Sequence, residues 1–167
     1  MKVTILGCGG AGGVPLIGGD WGDCDPREPK NRRLRASILV EAYGARILVD
    51  TSPDLRQQLL DAGVSDIDAI LYTHHHADHV HGIDDLRAIN RISRRVIDTY
   101  GSAHCLSSIG KRFDYVFTAP PIEGGKPVCV KPGLDAHEIH PGEPFTAARI
   151  EVLPFIQLRD IFSVKAP

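Results

Sequence analysis

Three stretches of this sequence predict an α/β fold. The run Ala69-Ile70-Leu71-Tyr72-Thr73 is short and apolar, as a buried strand is, and leads through a polar loop into residues 83–92, whose apolar positions recur at helical spacing. Residues 36–43 and 46–50 flank Gly44-Ala45, the punctuation of a β-hairpin. The second hairpin strand runs into Ser52-Pro53, an N-cap followed by proline in the first turn, and then a helical run through Leu55, Leu59 and Leu60 to Gly63, a C′ glycine. Strands alternating with helices build a sheet with helices packed on it. A chain of 167 residues, 43% hydrophobic and 24% charged, suits one globular domain.

Taken in order, Lys2–Leu6 is the first strand. It enters Gly7-Cys8-Gly9-Gly10-Ala11-Gly12-Gly13, which matches the G-x-G-x-x-G pattern of dinucleotide sites. That pattern needs a helix opening at its last glycine, and the following Val14-Pro15 and Gly18-Gly19 oppose one, so a nucleotide site is excluded. The glycines are expected to let the backbone pass close to the polar loop or to a substrate phosphate; a plain glycine-rich loop is the alternative. Residues 18–35 form a long loop that carries Lys30, Arg32, Arg33 and Arg35. Guanidinium groups match phosphate in a bidentate way, so Arg33 and Arg35 are candidate phosphate contacts, with a solvated basic loop as the alternative. Further on, residues 95–100 are a predicted strand and 103–113 a helix. Residues 126–131 read as an edge strand because of Pro127, and 148–155 as another strand. Residues 135–142 read as a turn bearing His137 and His140, whose spacing could hold a metal but which are taken as loop histidines.

A formal net charge of −2 leaves no overall basic footprint and argues against nucleic acid as a partner. The cysteines Cys8, Cys24, Cys105 and Cys129 form no C-x-x-C pair and no targeting segment is evident, so reduced thiols in the cytoplasm are expected. No apolar run is long enough to span a membrane.

The chemistry concentrates in Thr73-His74-His75-His76-Ala77-Asp78-His79-Val80-His81-Gly82, on the turn between a strand and a helix. Imidazole and carboxylate are zinc ligands. Residues two apart in an extended segment point the same way, so His74 and His76 can share one cation. Asp78 and His79 open the next element beside it. The cluster suits two metals about 3.5–4 Å apart, the arrangement that clamps attacking and leaving oxygens in phosphoryl displacement.

The H-x-H-x-D-H motif after an apolar strand resembles the metallo-β-lactamase-fold hydrolases. Within them, residues 7–15, 31–37, 48–54 and 79–87 resemble the phosphoribosyl 1,2-cyclic phosphate phosphodiesterase branch, which is related to the tRNA 3′-processing endonucleases. The resemblance covers residues 2–157. It implies an αββα sandwich and a hydrolase whose metal-activated water attacks a small or cyclic phosphodiester. It also implies two divalent ions, zinc or manganese, held by His74, His76, Asp78 and His79. Asp78 is the candidate catalytic residue, and Asp50 is expected to brace the loop through hydrogen bonds. Some relatives carry a cysteine cluster for a structural zinc in the 18–35 loop; only Cys24 stands there, so none is expected. A tRNA 3′-processing nuclease and a thioester hydrolase are alternatives on the same fold.

The resemblance also implies ligands that this loop does not supply. Relatives read roughly Q-x-H-G-D-I after a strand like 150–155, where this chain reads Gln157-Leu158-Arg159-Asp160-Ile161. The expected third histidine is replaced by Arg159, and a bridging aspartate and a last histidine have no counterpart. The expectation is therefore one incomplete metallo-β-lactamase-like domain over residues 1–167, lacking much of the C-terminal half. An inactive member with weak or no metal binding, self-associating as a homo-oligomer over an exposed sheet face, is the alternative outcome.

Overall fold

The computed structural model describes residues 1–156. Its main sheet has six strands in the order β1-β2-β3-β4-β5-β8. These are β1 (Lys2–Gly7), β2 (Ser37–Ala42), β3 (Ala45–Val49), β4 (Ala69–Leu71), β5 (Ile97–Gly101) and β8 (Leu134–Glu138). β1, β2 and β3 pair antiparallel, whereas β3, β4, β5 and β8 run parallel. The β2–β3 hairpin closes on Tyr43 and Gly44, with φ of 51° and 73°, and pairs Ala42 with Ala45. Two left-handed residues in succession match the right-handed twist of the strands they join. The turn is one residue earlier than Gly44-Ala45.

The parallel strands are joined through helices. α1 (Leu55–Ala62) follows β3, α2 (Ala77–Val80) and α3 (Leu86–Ser93) follow β4, and α4 (Ala103–Arg112) follows β5. One face of the sheet supplies Leu48, Ile70 and Ile97 to the main core, where Leu55, Leu59, Leu86, Ile89, Cys105 and Ile109 meet them from the helices. α1 ends at Gly63, whose φ of 65° lets its N–H reach the carbonyls of Leu59 and Leu60. Its start lies beyond Ser52. Asp54 holds the N-cap position, and buried Ser52 accepts from the Asp54 N–H while donating to Gln58 Oε1 at 2.9 Å.

The opposite face carries a smaller apolar cluster. Ala45, Ile47 and Ala69 meet Ala147 and Ile150 from a hairpin of β9 (Phe145–Ala147) and β10 (Ile150–Val152). Beyond that hairpin Val3 and Ile5 are 52% and 67% exposed.

Three sequence expectations shift. Residues 135–142 were expected to turn, yet Leu134–Glu138 form the edge strand beside β5. Only Leu134 of that strand enters the core, so its polar remainder carries no strand-like alternation. The strand over 126–131 reduces to β7 (Lys126–Pro127), paired with β6 (Ile122–Glu123). Gly7 and Gly9 permit a different contact from the one expected. A Cβ on Gly7 would lie 2.1 Å from the Arg35 carbonyl oxygen, and one on Gly9 2.9 Å from that of Arg33. The glycines make room for the returning backbone of residues 33–35. No helix occurs between Val14 and Glu28, as Pro15 and the repeated glycines predict.

Candidate metal centre

The histidine loop sits at the C-terminal ends of β3 and β4, where a parallel sheet gathers functional groups. Asp50, the residue after β3, organises it. Its backbone is left-handed, with φ of 62°, a conformation that aspartate and asparagine tolerate better than most residues. Its own N–H bonds the Leu71 carbonyl at 2.9 Å. Its side chain is buried and accepts three hydrogen bonds. The Thr73 N–H donates to Oδ1 at 2.8 Å, and the Thr73 hydroxyl donates to Oδ2 at 2.6 Å. His79 Nδ1 lies 2.7 Å from Oδ2. A carboxylate in that position holds the proton on Nδ1 and turns Nε2, with its lone pair, the other way.

His79 Nε2 then lies 3.3 Å from Asp78 Oδ2. The His74 ring is centred 4.0 Å from that of His79 and 4.6 Å from that of His76, and His74 Nδ1 meets the Thr73 hydroxyl at 3.0 Å. Three imidazoles and one carboxylate therefore converge. The backbone explains why: His76 is extended, with φ −67° and ψ 155°, and its carbonyl accepts the His79 N–H, so α2 begins at once and swings Asp78 and His79 back over His74. His75 points away. Its ring meets His104 at 4.8 Å and its carbonyl accepts from the Arg112 guanidinium. Partial desolvation, with His104, His76 and Arg112 nearby, pushes the His75 imidazole below its ordinary range.

The turn after α2 is fixed just as tightly. Thr51 donates its N–H to the His79 carbonyl at 2.8 Å and accepts from Gly82 N–H at 2.9 Å, while its hydroxyl meets the buried Tyr72 hydroxyl at 2.9 Å. A Cβ on Gly82 would lie 2.0 Å from the Ser52 carbonyl oxygen, so only glycine fits there.

The two candidate phosphate contacts differ. Arg35 closes on Asp54 with Nε at 2.9 Å and Nη2 at 2.6 Å, and its backbone N–H meets the same carboxylate at 2.8 Å. That bond raises the arginine pKa, and Asp78 contributes from a distance, so Arg35 lies within electrostatic reach of the loop. Arg33 is exposed and makes no ion pair with a described residue. Arg159 lies outside the described residues. His137 lies on β8, stacked at 4.9 Å on Tyr100, with Nε2 3.1 Å from Asp98. With Asp135 these residues bring donor atoms within 4.8 Å of one another on an exposed part of the sheet. His140 stands apart from them, 3.7 Å from Glu138. Sequence reasoning gave no role to Thr73 or His104; a threonine just ahead of H-x-H at a strand end was the available signal for the first.

Residues 45–160 match the family described as the beta-lactamase superfamily domain, a span that takes in Asp50 and the whole histidine loop. The chain belongs to this superfamily. An octanoyltransferase of Porphyromonas gingivalis is 40% identical to this superfamily member over 155 residues, covering 92% of the chain but 30% of the relative. A solved diphosphatase from the PhnP family is 35% identical, with a TM-score of 0.70, covering 86% of this chain and 52% of that one. Zinc-bound PqqB from Methylobacterium extorquens shares the fold at 23% identity and a TM-score of 0.68, covering 93% of this chain and 56% of that one. The chain thus spans less than a third of the first relative and about half of each solved neighbour. These likenesses place the sheet, its helices and the histidine loop in the metallo-β-lactamase fold. No helix among the described residues is long and apolar enough to cross a membrane.

Proposed function

We propose that this chain carries the metal-holding loop of a hydrolase for a small phosphodiester or diphosphate. The convergence of His74, His76, Asp78 and His79 under the brace of Asp50 carries this reading. The donor set fits a divalent cation, because imidazole nitrogen and carboxylate oxygen suit zinc and manganese. His74 and His76 would hold one ion, and Asp78 and His79 a second. A cation bound there lowers the pKa of water towards about 7 and offsets charge on the phosphoryl oxygens. Asp50 keeps the His79 Nδ1 proton in place and so presents Nε2 to the cluster. Asp78, 3.3 Å from His79 Nε2, would also orient the incoming water. Arg33 is the candidate partner for a phosphate oxygen, since the Arg35 fork is taken by Asp54. The likeness to a PhnP-family diphosphatase supports a phosphorus-centred substrate. Four free thiols support a reducing, cytoplasmic setting.

A second reading is hydrolysis of a thioester at the same loop; the octanoyltransferase match covers 30% of that relative and makes an octanoyl group the acyl chain to try first. Both are tested by loading the protein with zinc or manganese and supplying bis(p-nitrophenyl) phosphate, pyrophosphate or p-nitrophenyl octanoate. Turnover of a phosphorus substrate, with about two bound equivalents of metal, both lost in His76→Ala, is the expected result. Octanoate turnover alone would favour the second reading. No turnover, or well under one equivalent unchanged by the substitution, would overturn both.

A further inference from the structure

A groove away from the histidine loop has none of that loop's residues in its lining. That groove, of about 660 Å³, lies between α3 and the β6–β7 hairpin. Arg87, Arg91 and Arg94 line one side, and Glu123, Lys126 and the segment 127–130 the other. Arg87 and Arg91 stand four residues apart on one face of α3, about 5–6 Å between them, and Arg94 follows as the left-handed residue that caps the helix. All three are exposed, and none makes an ion pair with a described residue. Basic residues near a helix C-terminus are favoured by the helix dipole, which explains one arginine there. It explains neither the concavity nor Lys126, which arrives from another part of the chain. Four cations facing one carboxylate is a local excess of positive charge in a chain whose formal net charge is −2.

We propose that this groove binds a small polyphosphate anion, a di- or triphosphate group, at a place separate from the histidine loop. Guanidinium forks take phosphate oxygens in pairs, and three in a row match a ligand with successive charged groups. The volume falls in the range of small-ligand sites, about 300–1,000 Å³. No aromatic side chain lines the groove, so it offers no platform on which a base could stack. This favours a compact phosphate cluster over a nucleic-acid strand.

The test is calorimetric titration of the full chain with inorganic tripolyphosphate in the presence of a chelator, so that metal at the histidine loop plays no part. Saturable one-to-one binding is expected, weakened about tenfold by Arg91→Ala and further by the Arg87→Ala/Arg91→Ala pair. Both positions are exposed on a helix, where alanine is well tolerated. Arg91→Lys keeps the charge and is expected to recover part of the affinity, and His76→Ala to leave binding unchanged. Absence of saturable binding, or binding that the arginine pair does not alter, would overturn the proposal. So would capture of a single-stranded RNA 12-mer in preference to tripolyphosphate. Because no metal is involved, loss of hydrolysis at the histidine loop would leave this result standing.

Discussion

Replacing Asp50 by asparagine separates the two things this residue does. Asparagine tolerates the left-handed backbone, with its φ of 62°, about as well as aspartate, so the change leaves the chain path alone and removes only the charge. The carboxylate accepts from Thr73 N–H, the Thr73 hydroxyl and His79 Nδ1. Bonds to a charged acceptor contribute about 1.5–3 kcal/mol each and neutral ones about 0.5–1.5. Three weakened bonds, offset by the relief of burying no charge, give an expected loss of about 1–3 kcal/mol. In a protein of this length that lowers Tm by about 3–10 °C. The second effect concerns His79. An amide N–H facing Nδ1 makes that atom an acceptor and moves the proton to Nε2, so the imidazole no longer presents a lone pair to the cluster. Zinc affinity is expected to fall about 10–100-fold. Thr73→Val is the comparison: it removes the 2.6 Å hydroxyl bond to Asp50 and the 3.0 Å contact with His74 Nδ1 but leaves the His79 contact, so it is expected to reduce stability and to lower zinc affinity less than Asp50→Asn does. Urea melts and competitive zinc titration with a chromophoric chelator read both quantities. An Asp50→Asn protein as stable as the parent, with equal zinc affinity, would refute the bracing role.

Two further outcomes follow from the packing. Gly82→Ala places a methyl group 2.0 Å from the Ser52 carbonyl oxygen and 2.8 Å from Leu55 Cβ, so it is expected to cost about 1–3 kcal/mol in urea unfolding; a change under about 0.5 would contradict the close approach. The Arg35 hydrogen bond holds the Asp54 carboxyl below its ordinary value. Its stabilisation is therefore complete above the unfolded pKa of about 3.9 and fades as pH falls through the lower folded value. Arg35→Gln should flatten the acid side of the stability profile, and an unchanged slope below about pH 4 would argue that the pair contributes nothing there.

The local pattern made much of the fold legible. The hairpin could be read because Gly44-Ala45 separates two apolar runs, with the turn closing one residue earlier, and α3 and α4 because their apolar residues recur at helical spacing. What escaped depends on partners distant in sequence. β8 contributes one core residue, Leu134, and is a strand only because β5 lies beside it. Gly7 and Gly9 must be glycine because residues 33–35 pass over them. Arg35 reads as a phosphate ligand until Asp54, nineteen residues on, is found in its fork.

The same dependence on distant partners separates the donors of the candidate centre from the framework that aims them. The donors are contiguous, so their spacing is written in one loop. The aim comes from Asp50 on one strand end, Thr73 on the next and the Thr51–Gly82 bond that ties α2 down. Each of these contacts joins segments that meet only because β3 and β4 lie side by side in parallel. The sheet register, pairing Val49 with Leu71, is what brings the Asp50 side chain within reach of Thr73. A shift of one residue in that register would turn alternate side chains to the other face and remove the brace from His79 while leaving the motif intact. The arrangement of donors in this loop is thus a property of the β3–β4 pairing as much as of its histidines.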